Sequence, residues 1–177
     1  MSLEDEVRRL VTRIVDEKAA DSAGSIALAS DHGGFRLKEL IAGHLRSRGL
    51  TPVDCGCSSD TPVDYPEFAH MAARKVGTGE CRAAIIIDGA GIGSAIVANK
   101  VPGVRAALCY NRAMAENSRE HNHANVLTLG AGMIGTALAL QIVDAWLGTD
   151  WGEGRHARRV GQISAIENRY LGAEKKS

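Results

Sequence analysis

The chain has 177 residues, a length typical of one domain with a single hydrophobic core. Its 21 basic and 21 acidic residues balance, which argues against a nucleic-acid or membrane-surface partner, and an aromatic content of 4% leaves little for stacking on single-stranded bases. No segment reaches the roughly 18 apolar residues that a membrane span needs.

Residues 1–24 are predicted to form an amphipathic helix and a linker. The helix covers 3–18 and places six apolar residues on one stripe, with charged residues opposite: Leu3, Val7, Leu10, Val11, Ile14 and Val15. The small polar sequence AADSAGS that follows is typical of a linker. A helix of this length is marginal alone in water, so we expect it to pack on its own core, on another copy, or on a larger partner.

From residue 25 onward, short strand-like runs alternate with helical patterns. The predicted strands are 26–29, 52–54, 83–87, 104–108 and 125–129. The predicted helices are 34–48, 66–77, 92–100, 111–121 and 133–147, with a further basic helix over 154–167. This alternation predicts an α/β domain over residues 25–170, with helices on both faces of a five-stranded parallel sheet and a tail over 171–177.

Ligands of such sheets bind at the carboxyl ends of the strands, so polar residues just after strands are site candidates. Asp31 and His32 follow the first strand, Asp64 and Tyr65 follow the second at a distance, and Asp88 ends the third. His121 and Asn122 instead precede the fifth strand; they could supply a proton shuttle and a hydrogen-bond donor.

The stretch IIIDGAGIGSAIVANK, residues 85–100, carries the strongest local signal. Its GAGIGS loop falls short of a GxGxxG dinucleotide motif and lacks the GK[ST] of a Walker loop. A cluster of backbone N–H groups at a helix N-terminus, aimed at a small oxyanion, fits better. The alternative is that the glycines only permit a tight strand-to-helix turn.

Arg155 and Arg159 lie four residues apart in the basic helix and can hold a phosphate together, although such a pair is also common on solvated faces. His32, directly after a strand, could help to bind an anion or a hydroxyl group.

The four cysteines show no CxxC pair and no zinc spacing: Cys55, Cys57, Cys81 and Cys109. The charged N-terminus does not resemble a signal peptide, so we expect reduced thiols in a cytoplasmic protein.

Five ordered motifs resemble the ribose-5-phosphate isomerase B and galactose-6-phosphate isomerase family. They are IALASDHGGFRLKELIAGHLRSRG, VDYPEFAHMAARKV, GAGIGSAIVANKVPGVRAAL, SREHNHANVLTLG and DAWLGTDWGEGRHARRVGQISAIE. The resemblance covers about residues 25–168. It implies a Rossmann-like three-layer sandwich that binds no nucleotide, and an aldose–ketose isomerase of phosphorylated sugars in the pentose phosphate branch of carbohydrate metabolism. Members use no metal or cofactor, and their dimers or tetramers build active sites from two subunits.

The resemblance also implies roles for individual residues. Asp31 and His32 would contact sugar and phosphate, Tyr65 would line the pocket, and His121 would assist ring opening. Asn122 would bind a sugar oxygen, and Arg155 and Arg159 would take the phosphate. The loop would hold the enediolate oxygens with its backbone N–H groups, through residues that include Gly89, Gly91, Gly93 and Ser94.

The chain departs from the family pattern at the base. Many members have cysteine where Asp88 stands, and others use a glutamate where this chain has Ser94. Ala90 replaces a usual hydroxyl residue, and Gly132 replaces a phosphate-binding arginine. We predict that Asp88 is the base beside an oxyanion hole; the alternative is that it binds a sugar hydroxyl or caps the loop.

Two further alternatives stay open for the function. The substrate could be a sugar phosphate of four or six carbons, or the chain could be a catalytically altered sugar-phosphate-binding subunit. The N-terminal helix and linker also resemble the encapsulation peptides of bacterial microcompartment cargo. That likeness implies docking of residues 1–18 on a shell or core protein.

Overall fold

The computed structural model describes residues 5–9, 12 and 24–173. Five strands form one parallel sheet in the order β2-β1-β3-β5-β4. The strands are β1 (Ser25–Ser30), β2 (Thr51–Asp54), β3 (Ala83–Asp88), β4 (Ala106–Leu108) and β5 (Val126–Gly130).

Six helices connect and flank these strands. They are α1 (Phe35–Ser47), α2 (Tyr65–Gly77), α3 (Ile92–Ala98), α4 (Arg112–Asn122), α5 (Thr136–Gly148) and α6 (Arg155–Ala173). In the described part of the chain, no helix combines the length and the hydropathy required to cross a bilayer.

The two faces of the sheet bury different sets of side chains, because successive strand residues point to opposite faces. Ile26 and Leu28 pack with α1, α4 and α5, in a core that contains the fully buried Trp146. Ala27 and Ala29 face α2 and α3, whose contacting residues are also largely alanine. The predicted three-layer α/β sandwich is therefore confirmed.

Two elements begin later than predicted, because a side chain or a turn takes the hydrogen bonds of the first residues predicted for them. The fourth strand begins at Ala106 instead of 104, since the N–H of Arg105 donates to the side-chain oxygen of Asn125 (2.7 Å). The fifth helix begins at Thr136 instead of 133, because the N–H groups of Met133 and Ile134 turn back to the carbonyl of Gly130. The last helix runs on to Ala173, past the predicted domain end at residue 170.

The predicted N-terminal helix falls largely outside the described residues. Residues 5–9 and residue 12 are helical and exposed, with Val7 51% exposed. The remainder of 3–18 is not described, so the apolar stripe stays a prediction.

Candidate active site

Asp88 ends β3 and is buried, with 5% of its surface exposed. Its Oδ1 accepts from the N–H groups of Ala90 (2.8 Å) and Gly91. Its Oδ2 accepts from the N–H (3.0 Å) and the hydroxyl (2.5 Å) of Ser94. A carboxylate offers about four acceptor positions, so the loop itself supplies a donor for each of them.

These bonds make Asp88 the cap of α3, a role that the sequence analysis held as an alternative. Gly91 precedes the helix in the left-handed region (φ 76°) and has no side chain to bond the first turn, so Asp88 supplies the acceptor from the strand end. A Cβ at Gly91 would also lie 2.5 Å from Leu108 Cδ1. A negative side chain at a helix N-terminus is favourable because the first N–H groups have no partner within the helix. The role of Asp88 as the base stays a prediction.

Asp31 and His32 lie beside this loop, as the parallel sheet predicts. Ser30 pairs in register with Ile87, and the N–H of Asp31 donates to the Ile87 carbonyl (3.1 Å). Gly34 makes the turn possible, because a Cβ there would come within 2.5 Å of that same carbonyl oxygen. The Asp31 carboxylate accepts a hydrogen bond from the N–H of Gly34 (3.0 Å) and so stabilises the turn between β1 and α1.

His32 is fixed by backbone from the loop that precedes α2. Its Nδ1 lies 3.2 Å from the N–H and 3.3 Å from the carbonyl of Val63. As an acceptor from that N–H, Nδ1 leaves the ring proton on Nε2. His32 would then present a donor to a bound anion or hydroxyl.

Tyr65 reaches the same loop from the start of α2. A Cβ on Gly93 would lie 2.5 Å from Tyr65 Cζ, so the ring rests directly on the backbone of Gly93. Tyr65 is 36% exposed and forms a wall at the loop's surface. Asp31, His32, Tyr65, Asp88 and the loop thus form one group at the carboxyl edge of the sheet, which we call the carboxyl-edge half-site.

Tyr110 contacts the glycine loop, a contact that the sequence analysis missed. Its hydroxyl donates to the carbonyl of Ala90 (2.6 Å) and fixes the middle of the glycine loop. It lies two residues after β4, so the rule that pointed to Asp31 and Asp88 could have found it.

His121 and Asn122 lie at the other edge of the sheet. They end α4, which starts after the carboxyl end of β4 and returns to the amino end of β5. His121 Nδ1 bonds the side-chain amide of Asn117 (2.8 Å), and its ring stacks on that of His156 with centroids 4.3 Å apart. His156 was not predicted from the sequence.

Arg155 and Arg159 join this second group at the start of α6. Both are exposed, and Arg155 Nε lies 3.4 Å from His156 Nε2. Among the described residues, no carboxylate forms an ion pair with either arginine. Two unpaired guanidinium groups one helical turn apart are suited to a phosphate. We call His121, Asn122, Arg155 and Arg159 the amino-edge half-site.

One chain therefore does not bring all the predicted site residues together. Five residues of β5 separate the two edges, a span of roughly 16 Å. Each half-site lies at a different end of the sheet.

Gly132 and the cysteines behave differently from the site residues. The N–H of Gly132 donates to the carbonyl of Gly89 (3.0 Å), so this position supports the loop through its backbone.

All four cysteines are buried, and none forms a disulfide with another. Burial raises the pKa of Cys109 to about 11 and that of Cys55 to about 11, which keeps these thiols protonated at neutral pH.

Comparison with known proteins agrees with this architecture. The sequence profile of the Ribose/Galactose Isomerase family matches residues 26–163. Ribose-5-phosphate isomerase B of Escherichia coli K12 is 46% identical over 144 residues, which cover 81% of this chain and 97% of the relative.

Solved structures superpose on the same region. Ribose-5-phosphate isomerase B of Clostridium thermocellum has a TM-score of 0.81 at 51% identity, covering 82% of this chain and 99% of that one. The Mycoplasma genitalium enzyme, solved with bound ribulose-5-phosphate, has a TM-score of 0.79 at 38% identity, covering 81% and 96%. The chain thus belongs to the ribose/galactose isomerase family of sugar-phosphate isomerases.

Proposed function

We propose that this chain interconverts an aldose phosphate and a ketose phosphate through a cis-enediolate, with the ribose 5-phosphate and ribulose 5-phosphate pair as first candidates. The observation that carries the proposal is the half-site of Asp31, His32, Asp88 and the glycine loop. It belongs to a chain that aligns with 97% of ribose-5-phosphate isomerase B of E. coli. Such a reaction needs a base beside donors that stabilise a developing oxyanion.

Asp88 is the proposed base, and its hydrogen bonds define how it must act. A proton can reach Oδ2 only if the Ser94 hydroxyl, the most mobile of the four donors, rotates away. Because Asp88 holds the N–H groups of Ala90, Gly91 and Ser94, we expect the enediolate oxygens to use the remaining amides, those of Gly89, Ile92 and Gly93.

Two copies are proposed to assemble the pocket. A twofold pair presents the same surfaces twice, so the carboxyl-edge half-site of one chain can face the amino-edge half-site of its partner, and the reverse. His121 of the second chain would then open the sugar ring, Asn122 would bind a sugar oxygen, and Arg155 and Arg159 would hold the phosphate.

The alternative functions keep specific support. Ala90 offers no hydroxyl to the sugar, and Asp88 already has four donors, so a catalytically altered binding subunit remains a second candidate. The same changes suit a substrate with four or six carbons, since they alter the pocket and leave the fold intact.

The N-terminal segment is proposed to dock on a partner. Its predicted apolar stripe and the 51% exposure of Val7 support an exposed amphipathic helix. A shell or core protein of a bacterial microcompartment is the proposed partner, which would place the enzyme inside such a compartment within the cytoplasm.

Proton NMR in heavy water tests the function directly. Full-length protein is incubated with aldose and ketose phosphates of four, five and six carbons. We expect one pair to interconvert, with deuterium entering at the carbon beside the carbonyl. Binding of a sugar phosphate with no exchange would favour the non-catalytic subunit, and neither binding nor exchange on any substrate would contradict both.

A further inference from the structure

Three metal-ligating side chains converge where α4 ends and α6 begins. Glu120, His121 and His156 each offer a ligand atom, and these atoms all lie within 4.8 Å of one another. They form the one such group of three or more among residues 5–9, 12 and 24–173. His121 and His156 are half-buried, and Glu120 is exposed.

The backbone builds this convergence. The N–H of Gly152 donates to the carbonyl of Glu120 (2.9 Å), and His123 Nε2 bonds the carbonyl of Gly152 (2.7 Å). A Cβ on Gly152 would lie 2.5 Å from that Glu120 carbonyl and 3.2 Å from His156 Cδ2. Only a glycine lets the loop before α6 approach α4 closely enough to stack the two rings.

We propose that Glu120, His121 and His156 bind a divalent transition-metal cation of the Zn²⁺ class. Imidazole nitrogens and a carboxylate are ordinary zinc ligands, at about 2.0–2.2 Å from the ion. Such bonds place ligand atoms roughly 3.3 Å apart in a tetrahedral site. To bind one ion, the two rings must turn out of their parallel stack so that their in-plane lone pairs converge on it; a fourth position then stays open to solvent.

The surroundings select which atom of His121 binds. Its Nδ1 is engaged by Asn117 at 2.8 Å, which leaves Nε2, 3.7 Å from Glu120 Oε1, as the ligand. When the Asn117 amide presents its oxygen, Nδ1–H donates to it, the usual support of a metal-bound histidine.

Charged neighbours affect how tightly the ion would be held. Arg155 and Arg159 oppose a cation, while the Glu120 carboxylate attracts it, so we expect roughly micromolar affinity.

Metal binding would act on the proposed reaction, and this consequence rests on the proposed function. An ion on His121 Nε2 occupies the lone pair that ring opening needs, so bound Zn²⁺ should inhibit the isomerase. The proposed ion is therefore an inhibitor that blocks His121, and it takes no part in the reaction itself.

Calorimetric titration of the untagged, chelator-stripped full-length protein with ZnCl₂ tests the site without measuring activity. We expect one ion per chain, at least tenfold weaker binding for His156→Gln and for Glu120→Gln, and no binding of MgCl₂, which prefers oxygen ligands. His70→Gln, a change at an exposed histidine on α2, is the matched control and should bind as the unmodified chain does.

Zinc affinity unchanged in both ligand variants, or no zinc uptake by the unmodified chain at 100-fold the expected dissociation constant (roughly 100 µM), would overturn the site. Inhibition is then compared in the same proteins, each relative to its own zinc-free rate. A higher half-inhibitory concentration in His156→Gln and Glu120→Gln supports the link to His121; equal inhibition in all of them overturns that link. Absence of isomerase activity would count against the proposed function while leaving the binding result interpretable.

Discussion

At the scale of a single residue, Asp88 combines an observed role as the cap of α3 with a proposed role as the base. It satisfies four donors of the loop and the first turn of α3, and it is the only acidic group at the end of β3. Leaving such donors without an acceptor costs about 1–3 kcal/mol for a buried group. If Asp88 is the base as proposed, the geometry of these donors also sets the position of the proton acceptor.

Substitution of Asp88 separates the two duties. Asp88→Asn turns an amide N–H₂ toward existing donors, so we expect a loss of about 1–3 kcal/mol in the free energy of unfolding. We also expect kcat to fall by about 10²–10⁴, the usual contribution of general-base catalysis. Both quantities are measured on the same samples, by thermal unfolding and by initial rates.

Asp88→Cys and Ser94→Ala are the controls. A thiolate can take a proton but is a weak hydrogen-bond acceptor, so Asp88→Cys should exceed Asp88→Asn in kcat while being equally destabilised. Ser94→Ala removes one donor and keeps the carboxylate, so its kcat should stay within about tenfold of the unmodified enzyme. Full activity in Asp88→Asn would rule the base out; no difference between the Asn and Cys variants would leave Asp88 as a cap alone.

At the scale of the elements, the strands were the most predictable part. β3 is a continuous apolar run because helices cover both of its faces, and its end at Asp88 is visible as a break in hydropathy. Prediction failed at residues 104–105 and 133–135, where β-prone or helix-prone residues are held by the Asn125 side chain and by the turn after Gly130.

The carboxyl-edge half-site was predictable for the same reason. Asp31 and His32 follow β1 and Asp88 ends β3, and these strands are neighbours in the sheet. A local sequence pattern does not determine which N–H groups donate hydrogen bonds to a given carboxylate. The four bonds of Asp88 and the contact of Tyr110 with Ala90 therefore needed the structure.

Deletion of residues 1–22 tests the role of the N-terminal element. The family match begins at residue 26, and β1 begins at Ser25, so the truncated chain keeps the whole sheet. We expect kcat and the unfolding temperature to stay near those of the full chain, while co-sedimentation with a microcompartment shell or core protein is lost. A truncated chain that no longer folds would mean that the segment packs on its own domain or oligomer.

At the scale of the whole molecule, the two half-sites point to different ends of one sheet. The sequence analysis placed His121 and Asn122 ahead of the fifth strand, and in the structure α4 carries them back across the sheet to the amino end of β5. Because of that return, the pocket proposed above requires a second chain.

Mixed pairs of inactive variants test this arrangement. When Asp88→Asn and His121→Gln chains are combined, one of the two pockets in each hybrid pair receives both substitutions and the other receives neither. Half of the randomly formed pairs are hybrids, so about a quarter of the unmodified activity should return. Recovery no greater than the sum of the two parents would place both half-sites of a pocket on one chain.

The position of α4 has a consequence for how the rate depends on concentration. If a pocket exists only between chains, its abundance below the dissociation constant of the pair follows the square of the chain concentration. Halving the protein concentration then leaves a quarter of the complete pockets. Dilution therefore lowers the activity even though every chain stays folded. Confinement at high local concentration, whatever the confining partner, would by itself raise the turnover per chain.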